Sequence, residues 1–120
     1  MNVGGFGERF VMKKLVKEGY KIIFANYKTR FGEIDIIAQN KSYIIFVEVK
    51  TRGENHLGLP REAVNLSKQD KIIKSALIYL SNYKTDLQPR FDVAEVYLDE
   101  SNNVINYQYF ENAFTAEGYC

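Results

Sequence analysis

The sequence predicts one α/β domain spanning residues 1–120: a mixed central sheet of about five strands flanked by helices, in the order α-β-β-β-α-β-β. Three observations predict it. Gly32–Ala38 and Ile44–Arg52 are runs rich in Ile and Val, the composition of strands in the middle of a sheet. Apolar stripes of helical period lie on both sides of these runs in sequence, so a helix on each face would bury both sides of the central strands. The length of 120 residues with 46% hydrophobic content suits a single core.

The elements follow in order. Gly7–Glu18 is predicted to be a helix, with Phe10, Val11, Leu15 and Val16 as its apolar stripe and Gly19 as its stop. Arg9, Lys13, Lys14 and Lys17 cover its other sides, and Glu8 falls in the expected first turn, where an acid suits the helix dipole. Tyr20–Lys28 is the first strand. Thr29-Arg30-Phe31-Gly32 is a turn or bulge, and Glu33–Ala38 is the second strand. Gln39-Asn40-Lys41-Ser42 connects it to the third, Tyr43–Arg52. Gly53–Pro60 reads as a loop, with His56 either simply solvated or touching substrate. Arg61–Tyr83 is mainly helical with a break near Asn65, Ser67 as N-cap, and Ile72, Ile73, Ala76, Leu77 and Leu80 on one face. Lys68, Lys71 and Lys74 recur on a neighbouring face, which is either solvated or positioned for phosphate. Arg90–Leu98 and Val104–Phe110 are the last strands, and Glu111–Cys120 is a tail.

Composition removes several chemistries. Cys120 and His56 are the only cysteine and histidine. A disulfide framework, a zinc finger, a Cys–His protease and a Ser–His–Asp hydrolase are therefore excluded. Gly4-Gly5-Phe6-Gly7 matches neither a Walker loop nor a dinucleotide fingerprint. No run approaches the ~20 apolar residues of a membrane span, and the first residues lack the pattern of a signal peptide, so no membrane partner and a cytoplasmic location are expected. A net charge of +1 means that any electrostatic footprint for nucleic acid must be local.

The second and third strands carry the candidate chemistry. Alternation puts Glu33, Asp35 and Ile37 on one face, and Glu48, Lys50 and Arg52 on one face. A turn centred on Asn40-Lys41 sets Asp35 diagonal to Glu48. A register two residues different sets them directly opposite. Both bring the carboxylates within reach of one cation. Two acids on a buried strand repel, and oxygen ligands without His or Cys select a hard ion, Mg2+ or Mn2+. Lys50 would then orient water or neutralise charge on a phosphate, giving metal-dependent phosphodiester hydrolysis. The bland alternative is a metal-free salt-bridge cluster of Glu33, Asp35, Glu48, Lys50 and Arg52.

Asp35 followed by Glu48-Val49-Lys50 resembles the signature of restriction-endonuclease-like nucleases. The wider string adds Gly7-Glu8, Gly32-Glu33-Ile34-Asp35, Phe46–Arg52, Ala63-Val64, Lys68, Arg90-Phe91-Asp92-Val93 and Asn112-Ala113-Phe114. It resembles the YraN family of small bacterial proteins, predicted nucleases similar to Holliday-junction resolvases, over nearly the whole chain. The resemblance implies a restriction-endonuclease-like core with Glu8, Asp35, Glu48 and Lys50 as catalytic residues. It implies Asp35, Glu48 and the Val49 carbonyl as metal ligands, and Arg52 and Lys68 as phosphate contacts. Lys71 and Lys74 extend the basic row toward DNA. Arg90 and Asp92 also match, although a pair bracing the fourth strand is the simpler account. The family pattern often has a His before the Asn-Ala-Phe segment, a place held here by Tyr109.

Two functions follow. One is a Mg2+- or Mn2+-dependent endonuclease acting on DNA, with branched DNA as a candidate substrate. Symmetric cutting favours a C2 homodimer, for which Tyr107, Tyr109, Phe110 and Tyr119 are either interface or late core. The other is a nucleic-acid-binding adaptor of the same fold with little or no activity. The intact acid set favours the enzyme, because carboxylates facing phosphate do nothing for a pure binder.

Overall fold

The computed structural model of the chain describes residues 3–53 and 64–119. Its elements are α1 (Val3–Lys17), β1 (Lys21–Thr29), β2 (Gly32–Gln39), β3 (Tyr43–Gly53), α2 (Leu66–Asn82), β4 (Gln88–Leu98) and β5 (Val104–Phe114). The loop reading for Gly53–Pro60 with His56, and the start of the second helix at Arg61, lie outside the described residues. Among the described residues no helix is long and apolar enough to cross a membrane.

The strands form one mixed sheet in the order β1-β2-β3-β4-β5. Neighbours are antiparallel except β3 and β4, which run parallel because α2 lies between them in the chain. This is the α/β architecture expected from the sequence. Ile34, Ile37, Ile44, Phe46, Phe91 and Val93 pack on one face against Ile72, Ile73, Ala76 and Tyr79 of α2. Ile36, Ala38, Ile45, Val47, Ala94, Val96 and Leu98 pack on the other face against Val11 and Leu15 of α1. Burial on both faces explains why β3 is apolar without interruption from Ile44 to Val47.

Several features differ from expectation. The first helix begins at Val3, four residues before Gly7, with Gly4 and Gly5 inside it despite their helix cost. Glu8 is therefore in the second turn, and no acid occupies the first, so the dipole explanation of Glu8 loses its basis. The cap of α2 is Asn65, not Ser67: the Asn65 Oδ1 accepts the Lys68 N–H at 2.8 Å. On α2 the buried face includes Tyr79, whereas Leu77 is exposed. Finally, β5 runs on to Phe114, past the expected end at Phe110.

That extension depends on Arg90 and Asp92, which brace β4 as the simpler reading held. The buried Arg90 guanidinium donates to the fully buried Asp92 at 2.9–3.3 Å and to the Tyr20 hydroxyl at 2.8 Å. Asp92 accepts the Tyr109 hydroxyl at 2.5 Å and the Asn112 N–H at 2.9 Å. Asn112 has φ of 52°, a bulge conformation that Asn tolerates better than most residues. Tyr107 packs edge-on to Phe10 with centroids 5.2 Å apart, so Tyr107 and Tyr109 belong to the core on the α1 side. Tyr119 is exposed and donates to Asp70 at 2.9 Å.

Candidate functional site

The β2–β3 connection sets the site. The Asn40 side chain accepts N–H groups from Ser42 and Tyr43 at 2.9 and 2.7 Å, closing the loop through a local side-chain turn. The ladder that follows pairs Gln39 with Ile44, Ile37 with Phe46 and Ile36 with Val47. Continued by one step, this register sets Asp35 opposite Glu48, the second of the two registers weighed from the sequence. The ladder stops at Ile36 and Val47, and the strands fork there. Asp35 Oδ2 instead accepts the Val49 N–H at 2.8 Å. The N–H and C=O of a strand residue face the same edge, so the Val49 carbonyl also faces this fork.

The fork breaks the alternation read from the sequence. Ile34 and Ile37 both pack toward α2, while Ile36 packs toward α1. The strand therefore changes phase between Ile34 and Ile36, and Glu33, Asp35 and Ile37 do not form one regular face. On β1, Asn26 lies between the pairs Ala25–Ile36 and Tyr27–Ile34, across from Asp35. Asn26 has φ of 57°. Its side chain hydrogen-bonds to Glu8. A left-handed non-glycine residue inside a strand is a strained feature of the kind found beside functional sites.

Helix α1 reaches the fork because Gly7 has no side chain. A Cβ there would clash with Thr51 Oγ1, so any larger residue would push α1 off β3. This close approach sets Glu8, the next residue, in the electrostatic range of Asp35 and Glu33.

The charges are poorly compensated. Burial, then the nearby Asp35 carboxylate, pushes Glu48 up to about 7. Burial also raises Asp35, opposed by the Val49 N–H and by the hydrogen bond from Glu48. The direction of these effects has Glu48 holding the proton and donating it to Asp35. Burial and then Asp35 raise Glu8 in turn. Lys68 Nζ sits 3.5 Å from Glu48 Oε2, with the lysine half exposed.

The remaining candidates divide. Lys50 shares β3 with Glu48 and lowers its pKa weakly through charge. Arg52 is further along β3, and its Nε and Nη2 are buried without a hydrogen-bond partner among the described residues. Lys71 is exposed, near the Gly32 end of β2. Lys74 pairs with Asp70 at 3.1 Å and lies 5.4 Å from the Phe31 ring centroid, so it is already engaged. Asn26 and Glu95 escaped the sequence reading, and Gly7 entered it only through the Gly7-Glu8 motif. Gly7 and Asn26 were visible as a glycine inside a helical pattern and an Asn inside an apolar strand. Glu95 is almost fully buried, accepts the Tyr97 hydroxyl at 2.8 Å and sits beside Lys50 in the parallel register.

Among the described residues, no three His, Cys, Asp or Glu side chains form a ready-made metal cage. The fork offers two converging carboxylates and a peptide carbonyl, all oxygen. That donor set suits a hard ion that keeps several waters.

Comparison with known proteins identifies relatives. The model of the family described as "Uncharacterised protein family UPF0102" matches residues 7–96. A UPF0102 protein of Caldanaerobacter subterraneus is 52% identical over 99 residues, 81% of this chain and 80% of the relative. One from Dictyoglomus thermophilum is 42% identical over 93% of this chain and 96% of its own length. One from Clostridium beijerinckii is 44% identical over 94% and 93%. With a matched segment that runs from Gly7 on α1 through the fork to Val96 on β4, the chain belongs to the UPF0102, or YraN, family.

Proposed function

We propose that the protein is a metal-dependent endonuclease that hydrolyses phosphodiester bonds in DNA, with branched DNA as a candidate substrate. The observation that carries this reading is the convergence of Asp35, Glu48 and the Val49 edge at the fork. Asp35, Glu48 and the Val49 carbonyl would hold Mg2+ or Mn2+. When bound, such an ion supplies positive charge to a phosphate oxygen and makes a water more acidic.

The chain's own groups account for the other requirements. Lys50, on the same strand as Glu48, stabilises negative charge developing on the phosphorus centre. Lys68 lies 3.5 Å from Glu48 and is exposed enough to turn toward a phosphate. Arg52 carries two buried donors without partners among the described residues, which would have to turn outward to meet a phosphate. Glu8 and Asn26 hold the β1 side of the fork.

One observation favours the second reading, a nucleic-acid-binding adaptor: the absence, among the described residues, of a third acid that completes a cage. The test compares the wild type with Asp35→Ala on branched and linear DNA in Mn2+. Cleavage by the wild type and its loss in the variant support the nuclease. Cleavage that survives the substitution refutes the catalytic assignment, and tight binding without any cleavage selects the adaptor.

A further inference from the structure

Helix α1 carries Arg9, Lys13, Lys14 and Lys17 but only one acid, Glu8. The whole chain has 16 basic and 15 acidic residues, a net charge of +1. The helix alone thus holds a surplus of three positive charges, and the rest of the chain is net negative. Helix α1 is thus the most positive element, ahead of α2 and β1 with a surplus of two each.

The basic residues are also ordered. Arg9, Lys13 and Lys17 are exposed and four residues apart, so they follow one another along the outer surface of the helix. Each step rises about 6 Å, close to the separation of successive phosphates along a nucleic-acid strand. Phe10, Lys13, Lys14 and Lys17 line a shallow cavity of about 370 Å³. Its Phe10 ring is supported edge-on by Tyr107, and Lys14 Nζ lies 5.4 Å above the ring centroid.

A favourable helix dipole accounts for Lys14 and Lys17, which lie in the last turn. It does not account for Lys13, and Arg9 in the middle lies over the Phe6 ring at 6.0 Å. Nor are these lysines spent on ion pairs. Among the described residues Lys13 and Lys17 have no carboxylate partner, whereas Lys68 and Lys74 of α2 both do.

We propose that the outer face of α1 is a second nucleic-acid contact, a track of Arg9, Lys13 and Lys17 that binds the phosphodiester backbone. It begins next to Glu8, so a strand held on it is led to the fork. This rests on the reading of the fork as a nucleic-acid site. The α2 row is consequently the smaller contributor, since Lys74 is paired to Asp70 and Lys68 to Glu48.

The test is fluorescence anisotropy of a labelled DNA duplex in EDTA, across a range of salt, for wild type, Lys13→Gln/Lys17→Gln and Lys41→Gln/Lys84→Gln. The last variant removes the same charge from exposed lysines off α1, one in the β2–β3 hairpin and one in the connection between α2 and β4. Each lost phosphate contact lowers the slope of log affinity against log salt by about 0.9, so the α1 variant should lose about 2 and the control nothing. Circular dichroism verifies that both variants remain folded. An α1 variant with the wild-type slope, or a control that falls equally, overturns the track while leaving the fork reading in place. A wild type with no affinity for DNA overturns both.

Discussion

Replacing Glu48 with Gln should stabilise the protein at alkaline pH in the absence of metal. The residue is 7% exposed, and folding moves its pKa from 4.5 to about 7, chiefly through burial and secondly through Asp35. Between those values the folded state binds a proton that the unfolded chain has released. Stability therefore declines as pH rises through this window and stays at its lower level above it. The span corresponds to about 3 kcal/mol, and the rise in Asp35 acts in the same direction. A Gln at this position carries no charge, and its amide can donate to Asp35 as the protonated Glu48 does. Loss of the half-exposed Lys68 partner offsets the gain by at most about 1 kcal/mol. Urea denaturation in EDTA from pH 5 to 8 measures this. The wild type should lose up to about 3 kcal/mol over that range and the variant much less. Saturating Mg2+ or Mn2+ at pH 8 should restore the wild type, by about 2.7 kcal/mol at one hundred times its dissociation constant, and leave the variant unchanged. Parallel curves for the two proteins in EDTA would refute the argument that the pair is buried and charge-starved.

Three further outcomes follow from the structure. Gly7→Ala should destabilise by about 1–3 kcal/mol and reduce any cleavage activity, because its Cβ meets Thr51 Oγ1. Adding Thr51→Ala should restore part of both, a rescue read by paired thermal melts and cleavage assays. Asn26→Gly keeps the positive φ but removes the hydrogen bond to Glu8, so stability should hold within about 1 kcal/mol while activity falls. Equal losses of stability and activity would assign Asn26 to the fold alone. Asp92→Ala strands the buried Arg90, and chemical denaturation should register a loss of about 3–5 kcal/mol.

The strands were legible because β-branched runs bounded by Gly, Asn and Lys have few other solutions. The register was not legible from turn length. The connection is a two-residue turn at Lys41-Ser42, closed by the Asn40 N–H to the Tyr43 carbonyl at 3.0 Å and by the Asn40 side chain, one residue further along than Asn40-Lys41, and this selects direct opposition of Asp35 and Glu48 over the diagonal. The change of phase at Asp35 was invisible for a related reason. Alternation describes a paired strand, and β2 leaves β3 at Ile36. Helix α1 began earlier than expected because glycine reads as a breaker in sequence, yet Gly7 is where the helix must touch β3. The length of β5 depended on Asp92, a contact formed across 20 residues that no local pattern encodes. Lys74 looked equivalent to Lys68 by spacing, and only the position of Asp70 separates them.

Two sets of buried acids occupy this sheet, and the contrast between them bears on what the fork is for. Asp92 is fully buried, but Arg90, Tyr109 and the Asn112 amide supply it with donors on all sides. Asp92, and after it Tyr20, raise the Arg90 pKa further, the behaviour of a closed structural ion pair. Asp35 and Glu48 are nearly as buried, yet both are shifted toward their protonated forms. A cross-strand salt-bridge cluster predicts the opposite direction, since cations within reach would hold the carboxylates ionised. Lys50 and Lys68 act in that direction and do not prevail. The same sheet thus compensates one acid completely and leaves the pair at the fork short of positive charge. A pair in that condition gains most from a divalent cation, which would bring the positive charge that Lys50 and Lys68 do not supply.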